Sequence, residues 1–435
     1  MKKVLALLLT VIMCVSLFAG CGQFGQTETT VAQSSTDGSE TQKEVKLTFF
    51  TQEAFNEVGL AYYESVVEAF HEAHPNITVE LLQGGDWKDV DAKLNAAKLS
   101  NTYPDVLLTP LGGFSARAAM GEFMDLTSFI DSWEDKDDIY DASLNIGKLD
   151  GKSYGIGVFP VPEVIMYRKD YFKEAGLDPE CPPTTWDELY EYAQKLTVRD
   201  ENGKTIRSGF DVPIADPNLT LMEAFMRQGG NTIIDADQNI VINDEKGVAA
   251  MEYLKKFIDE GLTLTYRRGQ DDPVQTGKSA MGIVYMDAVK KIIADDPSMA
   301  DKIGFFAYTE GQQKAAFNGY RLMMISNDCE HPKEAWEFIK FFYSEDLMWQ
   351  RYKDLGNIPV RKSLAEKFEA DNPYMNGVIL NSIAVGYGRP VCGFVNVLSK
   401  HEALAYEEIM NGVKTAQQAL DDAAAAATAE IEAMG

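Results

Sequence analysis

Apolar positions recur along this chain with two periods, one typical of strands and one typical of helices. The stretch Val45–Thr51 alternates apolar with polar residues and then becomes continuously apolar, as expected for a strand that faces a core. Apolar residues then recur every three or four positions until Pro75. This first part of the chain therefore predicts a strand at 45–51, a helix ending before Pro75, a strand at 77–82 and a helix at 87–99.

The central stretch 149–199 combines turn residues with short apolar runs. Glycine and proline within 154–161 exclude a helix there, and the apolar run at 164–167 predicts a buried strand. Thr185 is followed three residues later by Glu188, a spacing that predicts the start of a helix. The segment therefore indicates an extended crossover followed by helices, and an ordinary βα unit with a turn is an equal alternative on the pattern alone.

The second half of the chain continues to alternate strands with helices, which predicts an α/β protein whose sheets carry helices on both faces. Asn243 is the expected N-cap of one of these helices. The pattern predicts a strand at 207–211, helices at 219–228 and 247–258, a turn at 317–320 before a strand at 321–326, a helix from Pro332, and helical structure over 399–431.

Several phrases of the sequence resemble family 1 extracellular solute-binding proteins, the sugar-binding components of ABC importers. The central phrases are DGKSYGI, MYRKDYFKEAGLD and PPTTWDELYEYAQKLT, which match in order and spacing over about fifty residues. Further similar phrases, from YPDV through GKSAM and GNIPV to AQQALDDAAAAATAEI, extend the resemblance over nearly the whole chain from Val45 onwards. The resemblance implies a strand at 103–108 and, within 277–287, a strand followed by a turn. The resemblance implies a two-lobed periplasmic-binding-protein fold of type II, with three interdomain crossings and mixed, mostly parallel sheets flanked by helices.

The resemblance also suggests how the chain divides into lobes. Lobe 1 is expected to contain residues 45–154 and 304–350, and lobe 2 residues 155–303 and 351–435. A solute would bind between the lobes and close them by a hinge motion.

The net charge of the chain argues against two classes of partner but does not identify the ligand. The 435 residues carry a formal net charge of −27, which would be repelled by nucleic acid and by anionic membrane surfaces. We therefore expect no nucleic-acid partner, and membrane association only through an anchor.

The N-terminus predicts export and lipidation. Lys2 and Lys3 precede a short apolar run, and LFAGC resembles a bacterial lipobox, so residues 1–20 are predicted to be a lipoprotein signal peptide with Cys21 as the lipidated residue. Residues 21–44 are rich in small polar residues and are expected to form a disordered tether. The protein would then be lipid-anchored at the extracytoplasmic face of the cell membrane. An ordinary signal peptide with a chance cysteine is the alternative.

Three other cysteines remain in the exported part of the chain. Cys181, Cys329 and Cys392 cannot all pair with one another, so the sequence allows one disulfide without selecting it.

A sugar requires flat apolar surfaces for its C–H faces and planar polar groups for its hydroxyls. Ligands of open α/β sheets bind where strands end, so we searched those positions. The polar candidates after the first and third strands are Gln52, Glu53 and Thr109. Compensation of positive charge at a helix N-terminus is an equal alternative for Glu53.

The remaining candidates lie in the crossover, in the later turns and near the C-terminal helices. The family often has tryptophan where this chain has Asp287, which weakens the case for ring stacking there. For Arg389 a surface ion pair is an equal alternative. These candidate ligand-binding residues are Phe159, Tyr285, Asp287, Asn318, Gly319, Tyr320 and Arg389.

The predicted function is an extracytoplasmic substrate-binding lipoprotein of an ABC transporter, a monomer that delivers a mono- or oligosaccharide to the permease. No nucleotide-binding or serine-hydrolase motif occurs in the sequence, and we expect no enzyme activity, no cofactor and no metal. The alternatives are a surface-anchored glycan hydrolase, a passive adhesin, and a binding protein for another solute such as glycerol phosphate.

Overall fold

The computed structural model describes residues 43–85, 89–269, 272–375 and 377–434. Cys21 and the predicted signal peptide and tether up to residue 42 lie outside the described residues. The first part of the described chain alternates strands and helices, as the pattern predicts. Its elements are Val45–Thr51 (β1), Glu57–Ala73 (α1), Ile77–Gln83 (β2), Val90–Leu99 (α2), Val106–Pro110 (β3), Phe114–Ala119 (α3), Thr127–Asp131 (α4), Asp141–Asn145 (α5) and Gly147–Leu149 (β4).

The middle of the chain begins with one long strand and continues mainly with helices. Its elements are Lys152–Arg168 (β5), Lys169–Glu174 (α6), Trp186–Leu196 (α7), Val198–Arg199 (β6), Thr205–Arg207 (β7), Thr220–Gln228 (α8), Glu245–Asp259 (α9), Met281–Tyr285 (β8), Met286–Asp295 (α10) and Ile303–Phe306 (β9).

The last part is mostly helical. Its elements are Ala316–Ile325 (β10), Pro332–Phe342 (α11), Glu345–Leu355 (α12), Ala365–Asp371 (α13), Val378–Ala384 (α14), Gly386–Tyr387 (β11), Val395–Met410 (α15) and Ala416–Met434 (α16).

Nine of the described strands belong to one mixed sheet, with β2-β1-β3-β10-β5-β4 as its continuous path. β1 pairs in parallel with both β2 and β3, whereas β10 runs antiparallel to β3 and to β5. The predicted mixed α/β sheet flanked by helices is confirmed. Parallel pairing joins β1 to β2 and β3 and joins β10 to β11, whereas the other described pairs of this sheet are antiparallel, because β10 returns between β3 and β5 in the opposite direction.

β5 is longer than the sequence pattern predicts. Its glycines and prolines suggested an interrupted extended segment, but 17 residues form a single strand. Ile156–Pro162 pairs with β10, and Glu163–Arg168 pairs with β8 and β9. Pairing with β10 up to Pro162 and with β8 and β9 beyond it keeps the strand continuous, although Pro160 and Pro162 each lack a backbone donor. One strand thus enters two different packed regions.

Helix starts follow the predicted capping chemistry with one shift. The Thr185 side chain accepts a hydrogen bond from Glu188 N (3.2 Å), which confirms it as the N-cap of α7. The cap of α9 is Asp244 and not the predicted Asn243, since the Asp244 carboxylate accepts from Gly247 N at 2.8 Å. Either residue type suits an N-cap, so the pattern alone could not choose between neighbours.

The apolar side chains form two large clusters. In the first, Phe49 of β1 packs edge-on against Phe338 of α11, with ring centroids 5.1 Å apart. In the second, α8, α9 and α15 surround side chains such as Phe225 and Tyr406. β5 contributes Val158 to the first cluster and residues further along to the second. The predicted lobe boundaries themselves stay a prediction.

Two further observations bear on the location and chemistry of the chain. Among the described residues, no helix combines the length and the apolar character that a membrane crossing requires. Cys181 is exposed, Cys329 and Cys392 are buried, and none of these three forms a disulfide.

Candidate functional site

A cavity of about 710 Å³, here called the large cavity, opens where β1, β5, β8 and β10 approach one another. Its volume lies in the range of small-molecule binding sites. Aromatic rings, prolines and planar polar groups share its wall. The lining residues are Glu53, Phe159, Pro160, Val161, Pro162, Asn218, Tyr285, Met286, Lys290, Phe317, Gly319, Arg321, Leu355, Gly356, Asn357 and Ile358.

An ion pair forms part of the polar wall. Arg321 Nε of β10 donates to Glu53 Oε1 at 2.5 Å, and Gln52 Nε2 donates to the same oxygen at 3.0 Å. The side chains of Arg321 and Glu53 keep 26% and 17% of their surface exposed. Helix α1 begins only at Glu57, so the partner of Glu53 is Arg321 and not a helix N-terminus. Both charges therefore remain accessible to a ligand.

Gln52 lies directly behind this ion pair. Its side chain is buried, and its Oε1 atom has no hydrogen-bond partner among the described groups. Gln52 therefore orients Glu53 from behind rather than lining the large cavity.

Tyr285 contributes a second polar group to the lining of the large cavity. It is the last residue of β8 and pairs with Glu163 of β5. The Arg268 guanidinium lies 5.7 Å from the Tyr285 ring centroid and donates to Glu163 Oε1 at 2.5 Å. Burial, and next the charge of Glu163, raise the pKa of Tyr285. The Tyr285 hydroxyl therefore stays protonated and keeps a proton to donate.

The same Glu163 belongs to a buried charge network. The Thr220 hydroxyl donates to Glu163 Oε1 at 3.0 Å, and Arg268 Nη1 lies 3.5 Å from Asp216 Oδ2. Burial raises the pKa of Glu163, while the positive charge of Arg268 lowers it. Because the arginine lies beside two buried carboxylates, the network ties β5 to the start of α8 and to the segments that carry Asp216 and Arg268.

The aromatic candidate from the crossover has two environments. Phe159 lines the large cavity, yet only 2% of its surface is exposed, and it packs in the first apolar cluster. The Phe159 ring is therefore mainly a core side chain, and only a small part of its surface borders the cavity.

Residues 317–320 were predicted to form a turn, and this prediction is wrong, because they lie inside β10. In a strand, successive side chains point to opposite faces. Phe317, Gly319 and Arg321 line the large cavity, whereas Asn318 and Tyr320 are buried away from it.

The two buried members of this segment have structural partners. Asn318 Nδ2 donates to Ser382 O at 3.0 Å, and the Tyr320 ring packs so closely on Gly157 that an added Cβ would come within 2.7 Å of it. The structure thus places Asn318 and Tyr320 in the core and keeps Gly319 at the cavity.

Thr109 and Arg389 lie together in another cavity of about 390 Å³, here called the small cavity. Its wall combines the end of β3 and the start of α3 with the first turns of α15. The lining residues are Val90, Asp91, Leu94, Thr109, Pro110, Gly112, Gly113, Arg117, Arg389, Val395, Asn396 and Ser399.

Arg389 connects the small cavity to a residue of the large cavity. Its Nη1 donates to Ser399 Oγ at 2.5 Å, and its Nη2 donates to the carbonyl oxygen of Asn218, a residue that lines the large cavity. Arg389 therefore makes more than the surface ion pair considered as its alternative role.

Asp287 is the second residue of helix α10, so the prediction that it lies in a loop after the strand is wrong. The structure gives no description of its side chain. A group of ligands suited to a metal ion is absent from the described residues.

Sequence reasoning missed Asn218, Lys290, Phe317, Arg321 and Asn357 as lining residues. Phe317 and Arg321 follow from the period-two pattern once β10 is begun five residues earlier, at Ala316. Asn218 and Asn357 lie in loops that carried no comparable signal.

Comparison with known proteins identifies the family. The sequence profile of bacterial extracellular solute-binding proteins matches residues 65–376. An arabinooligosaccharide-binding protein of Bacillus subtilis (strain 168) is 24% identical over 457 residues, covering 98% of this chain and 99% of that protein.

Solved structures confirm the predicted two-lobed fold. A cyclic alpha-maltosyl-1,6-maltose binding protein from Arthrobacter globiformis superposes with a TM-score of 0.77 at 25% identity, covering 89% of this chain and 98% of that chain. The sugar-binding protein MalE from Xanthomonas citri also reaches 0.77, at 16% identity, covering 87% of this chain and 95% of that chain. The chain therefore belongs to the family of bacterial extracellular solute-binding proteins.

Proposed function

We propose that the protein is the substrate-binding component of an ABC importer, which captures a mono- or oligosaccharide between its lobes and delivers it to the membrane permease. The composition of the large cavity carries this proposal. The aromatic rings of Phe159, Tyr285 and Phe317 line the same cavity as the planar polar groups of Glu53 and Arg321. Rings suit the C–H faces of a sugar, and the polar groups suit its hydroxyls.

The relatives support a carbohydrate ligand. The similar protein of Bacillus subtilis is named for binding arabinooligosaccharides, and the similar structure from Arthrobacter globiformis is named for binding cyclic alpha-maltosyl-1,6-maltose. Both names describe ligands of more than one sugar unit, so an oligosaccharide is the first class to test.

Binding and delivery would be linked through closure of the two lobes, divided at the boundaries expected from the sequence. A ligand shifts an open form to a closed form only when it binds the closed form more tightly. Arg321 on β10 and Tyr285 on β8 belong to different parts of the sheet. A ligand that contacts both residues at once would therefore bind the closed form more tightly than the open form.

The N-terminal sequence supports the cellular setting. The lipobox-like LFAGC places a lipidated Cys21 at the membrane, and residues 21–44 serve as the tether at the extracytoplasmic face. The protein acts as a monomer, and its membrane partner is the permease.

The hydrolase alternative has less support. A glycosidase uses two carboxyl groups that flank the scissile bond. Among the side chains that the structure describes at the large cavity, Glu53 alone carries a carboxylate, and this carboxylate forms an ion pair with Arg321. The pair of carboxyl groups that a glycosidase uses is therefore not found among these described lining residues. Arg321 and Lys290 place cationic groups in the lining of the large cavity, and such groups would also suit the phosphate of a phosphorylated polyol. A phosphorylated polyol is therefore the competing class of solute.

A thermal-shift screen over a carbohydrate library tests the proposed function. A ligand at a hundredfold excess over its Kd stabilises the folded protein by about 2.7 kcal/mol, which raises the unfolding midpoint. We expect at least one oligosaccharide to raise it. If glycerol phosphates raise the midpoint while no sugar does, the carbohydrate class is wrong, and release of products from an oligosaccharide would favour the hydrolase.

A further inference from the structure

The large and small cavities are neighbours along the same cleft. Arg321 lines the large cavity and Pro110 lines the small one, and these two residues are register partners on β10 and β3. Residues opposite each other on paired strands lie about 5 Å apart. The floor of the cleft therefore continues from one cavity into the other.

Arg389 crosses the cleft at the junction of the two cavities. Its side chain belongs to the wall of the small cavity, and its guanidinium donates to the carbonyl oxygen of Asn218, which belongs to the wall of the large cavity. Ser399 accepts from the same guanidinium on the α15 side. The side chain thus bridges between the two walls.

The backbone that carries Arg389 is held from both sides. β11 pairs with β10 two residues before it, at Gly386 and Tyr387. Gly388 lies so close to Leu111 and Ile146 that a Cβ atom at Gly388 would contact both side chains. The position of Arg389 is therefore set by the sheet and not by a mobile loop.

Buried charge holds the guanidinium in place as well. Glu223 of α8 is fully buried, and its Oε1 atom lies 3.7 Å from Arg389 Nη1. Only 18% of the Arg389 side chain is exposed. Moving the guanidinium away would leave this buried carboxyl group without the cation that favours its charged form.

We propose that Arg389 is a partition residue that ends the sugar-binding part of the cleft and thereby limits the length of the oligosaccharide that the protein binds. This inference rests on the proposed function, because only a chain-shaped ligand extends along the cleft from one cavity towards the other. With the partition in place, a glycan fills the large cavity and its end meets the guanidinium. Without it, the small cavity adds about 390 Å³ to the available space.

Isothermal titration calorimetry with arabino-oligosaccharides and malto-oligosaccharides, from disaccharide to hexasaccharide, tests the proposal. For the wild type we expect affinity to rise with chain length and then reach a plateau. For Arg389→Ala the plateau shifts to a chain longer by at least one unit. The first oligosaccharide beyond the wild-type plateau should bind the variant about tenfold more tightly, since a further unit adds contacts.

Two further variants make the result decisive. In the single variant Arg389→Ala, the buried Glu223 loses its neighbouring cation, which could unfold the protein. The double variant Arg389→Ala with Glu223→Gln removes this carboxyl group as well and so guards against unfolding. Arg267→Ala removes an arginine that forms an exposed ion pair with Glu407 (2.8 Å), and it should keep the wild-type length profile.

The outcomes separate the two proposals. An unchanged plateau in both folded Arg389 variants overturns the partition, and so does an equal loss of affinity at every length, which would make Arg389 an ordinary ligand contact. If the wild type binds neither series nor any sugar of the thermal-shift library, the proposed function is wrong and the partition falls with it.

Discussion

The Glu53–Arg321 ion pair places opposite charges side by side on the wall of the large cavity. Both side chains are partly exposed, so solvent screens their mutual attraction and the pair contributes little to stability. Their fork of donors and acceptors instead suits the hydroxyls of a sugar, because hydrogen bonds to charged groups are stronger than those between neutral groups. At the scale of single residues, this pair is the main polar contact that we expect for the solute.

Replacing Arg321 by methionine tests that role. We expect the variant to fold normally and to bind the solute found in the carbohydrate screen about tenfold to a hundredfold more weakly, because one or two charge-assisted hydrogen bonds are lost. Calorimetric titration measures the change. Arg267→Met is the control and should bind as the wild type does, and an unchanged Kd for Arg321→Met would remove this residue from the site.

Two buried carboxylates make stability depend on pH. Glu223 of α8 and Glu402 of α15 are fully buried, and none of their four oxygens has a hydrogen-bond partner among the described groups. Burial, and next the charge of Glu223, raise the pKa of Glu402 to about 8, and burial raises the pKa of Glu223 to about 7. Arg389 and Arg227 oppose both shifts through their positive charge.

The sign of the effect follows from proton uptake. Between the ordinary glutamate pKa of 4.5 and about 8, the folded chain holds protons that the unfolded chain releases. The stability that these groups supply is complete below about pH 4.5 and is lost as pH rises through this window. Glu402→Gln should therefore match the wild type near pH 5 and exceed it near pH 8, by on the order of 2 kcal/mol.

Urea unfolding at the two pH values measures this difference. Glu407→Gln is the matched control on the same helix, because Glu407 forms an exposed ion pair with Arg267. Parallel pH dependence in wild type and Glu402→Gln would mean that the buried carboxylate does not control stability.

At the scale of elements, the short pairing of β11 with β10 decides where the end of the cleft lies. Gly386 of β11 faces the buried Asn318 side chain, with no room for a Cβ atom between them. Asn318 is itself fixed by its hydrogen bonds with Ser382 of α14. The glycine thus allows the strand to approach, and the strand positions Arg389.

Gly386→Ala should therefore destabilise the protein by about 2 kcal/mol, because an added methyl group in a packed region forces its neighbours to shift. Thermal or urea unfolding measures the loss. Gly112→Ala is the control, since a Cβ atom there meets nothing within 4 Å, and it should be nearly neutral. Equal stability of the two variants would contradict the close packing at β11.

At the scale of the whole molecule, the proposed anchor and the folded part have separate roles. Cys21→Ser should release the protein from the cell surface into the surrounding fluid or the soluble fraction, because a serine hydroxyl is not lipidated at a lipobox. Cell fractionation with immunodetection measures the distribution. Cys181→Ser, which changes an exposed unpaired cysteine, should leave the protein at the membrane. Membrane retention of the Cys21 variant would contradict lipid anchoring.

Much of the fold follows from local pattern. β1 has the predicted bounds, and α7 begins at the predicted N-cap, because strand alternation and capping chemistry act over a few residues. The position of β10 was misjudged by several residues, since Phe317–Tyr320 carries turn-forming residues whose tendency the neighbouring strands override.

The candidate site residues were also predicted in part from the sequence, whereas their grouping into two cavities was not. Pattern and resemblance selected Glu53, Phe159, Tyr285 and Gly319, which the structure brings together at the large cavity. They also selected Thr109 and Arg389, which it places in the small cavity.

The sequence by itself determined the family, the two-lobed α/β fold and the kinds of residue at the strand ends, because these depend on local spacing and on phrases shared with relatives. Only the tertiary structure decided which side chains share a wall. Glu53 meets Arg321, and Arg389 meets Asn218, across 268 and 171 residues of chain. Such contacts arise from how the strands pair and the helices pack, and no local pattern encodes that distance.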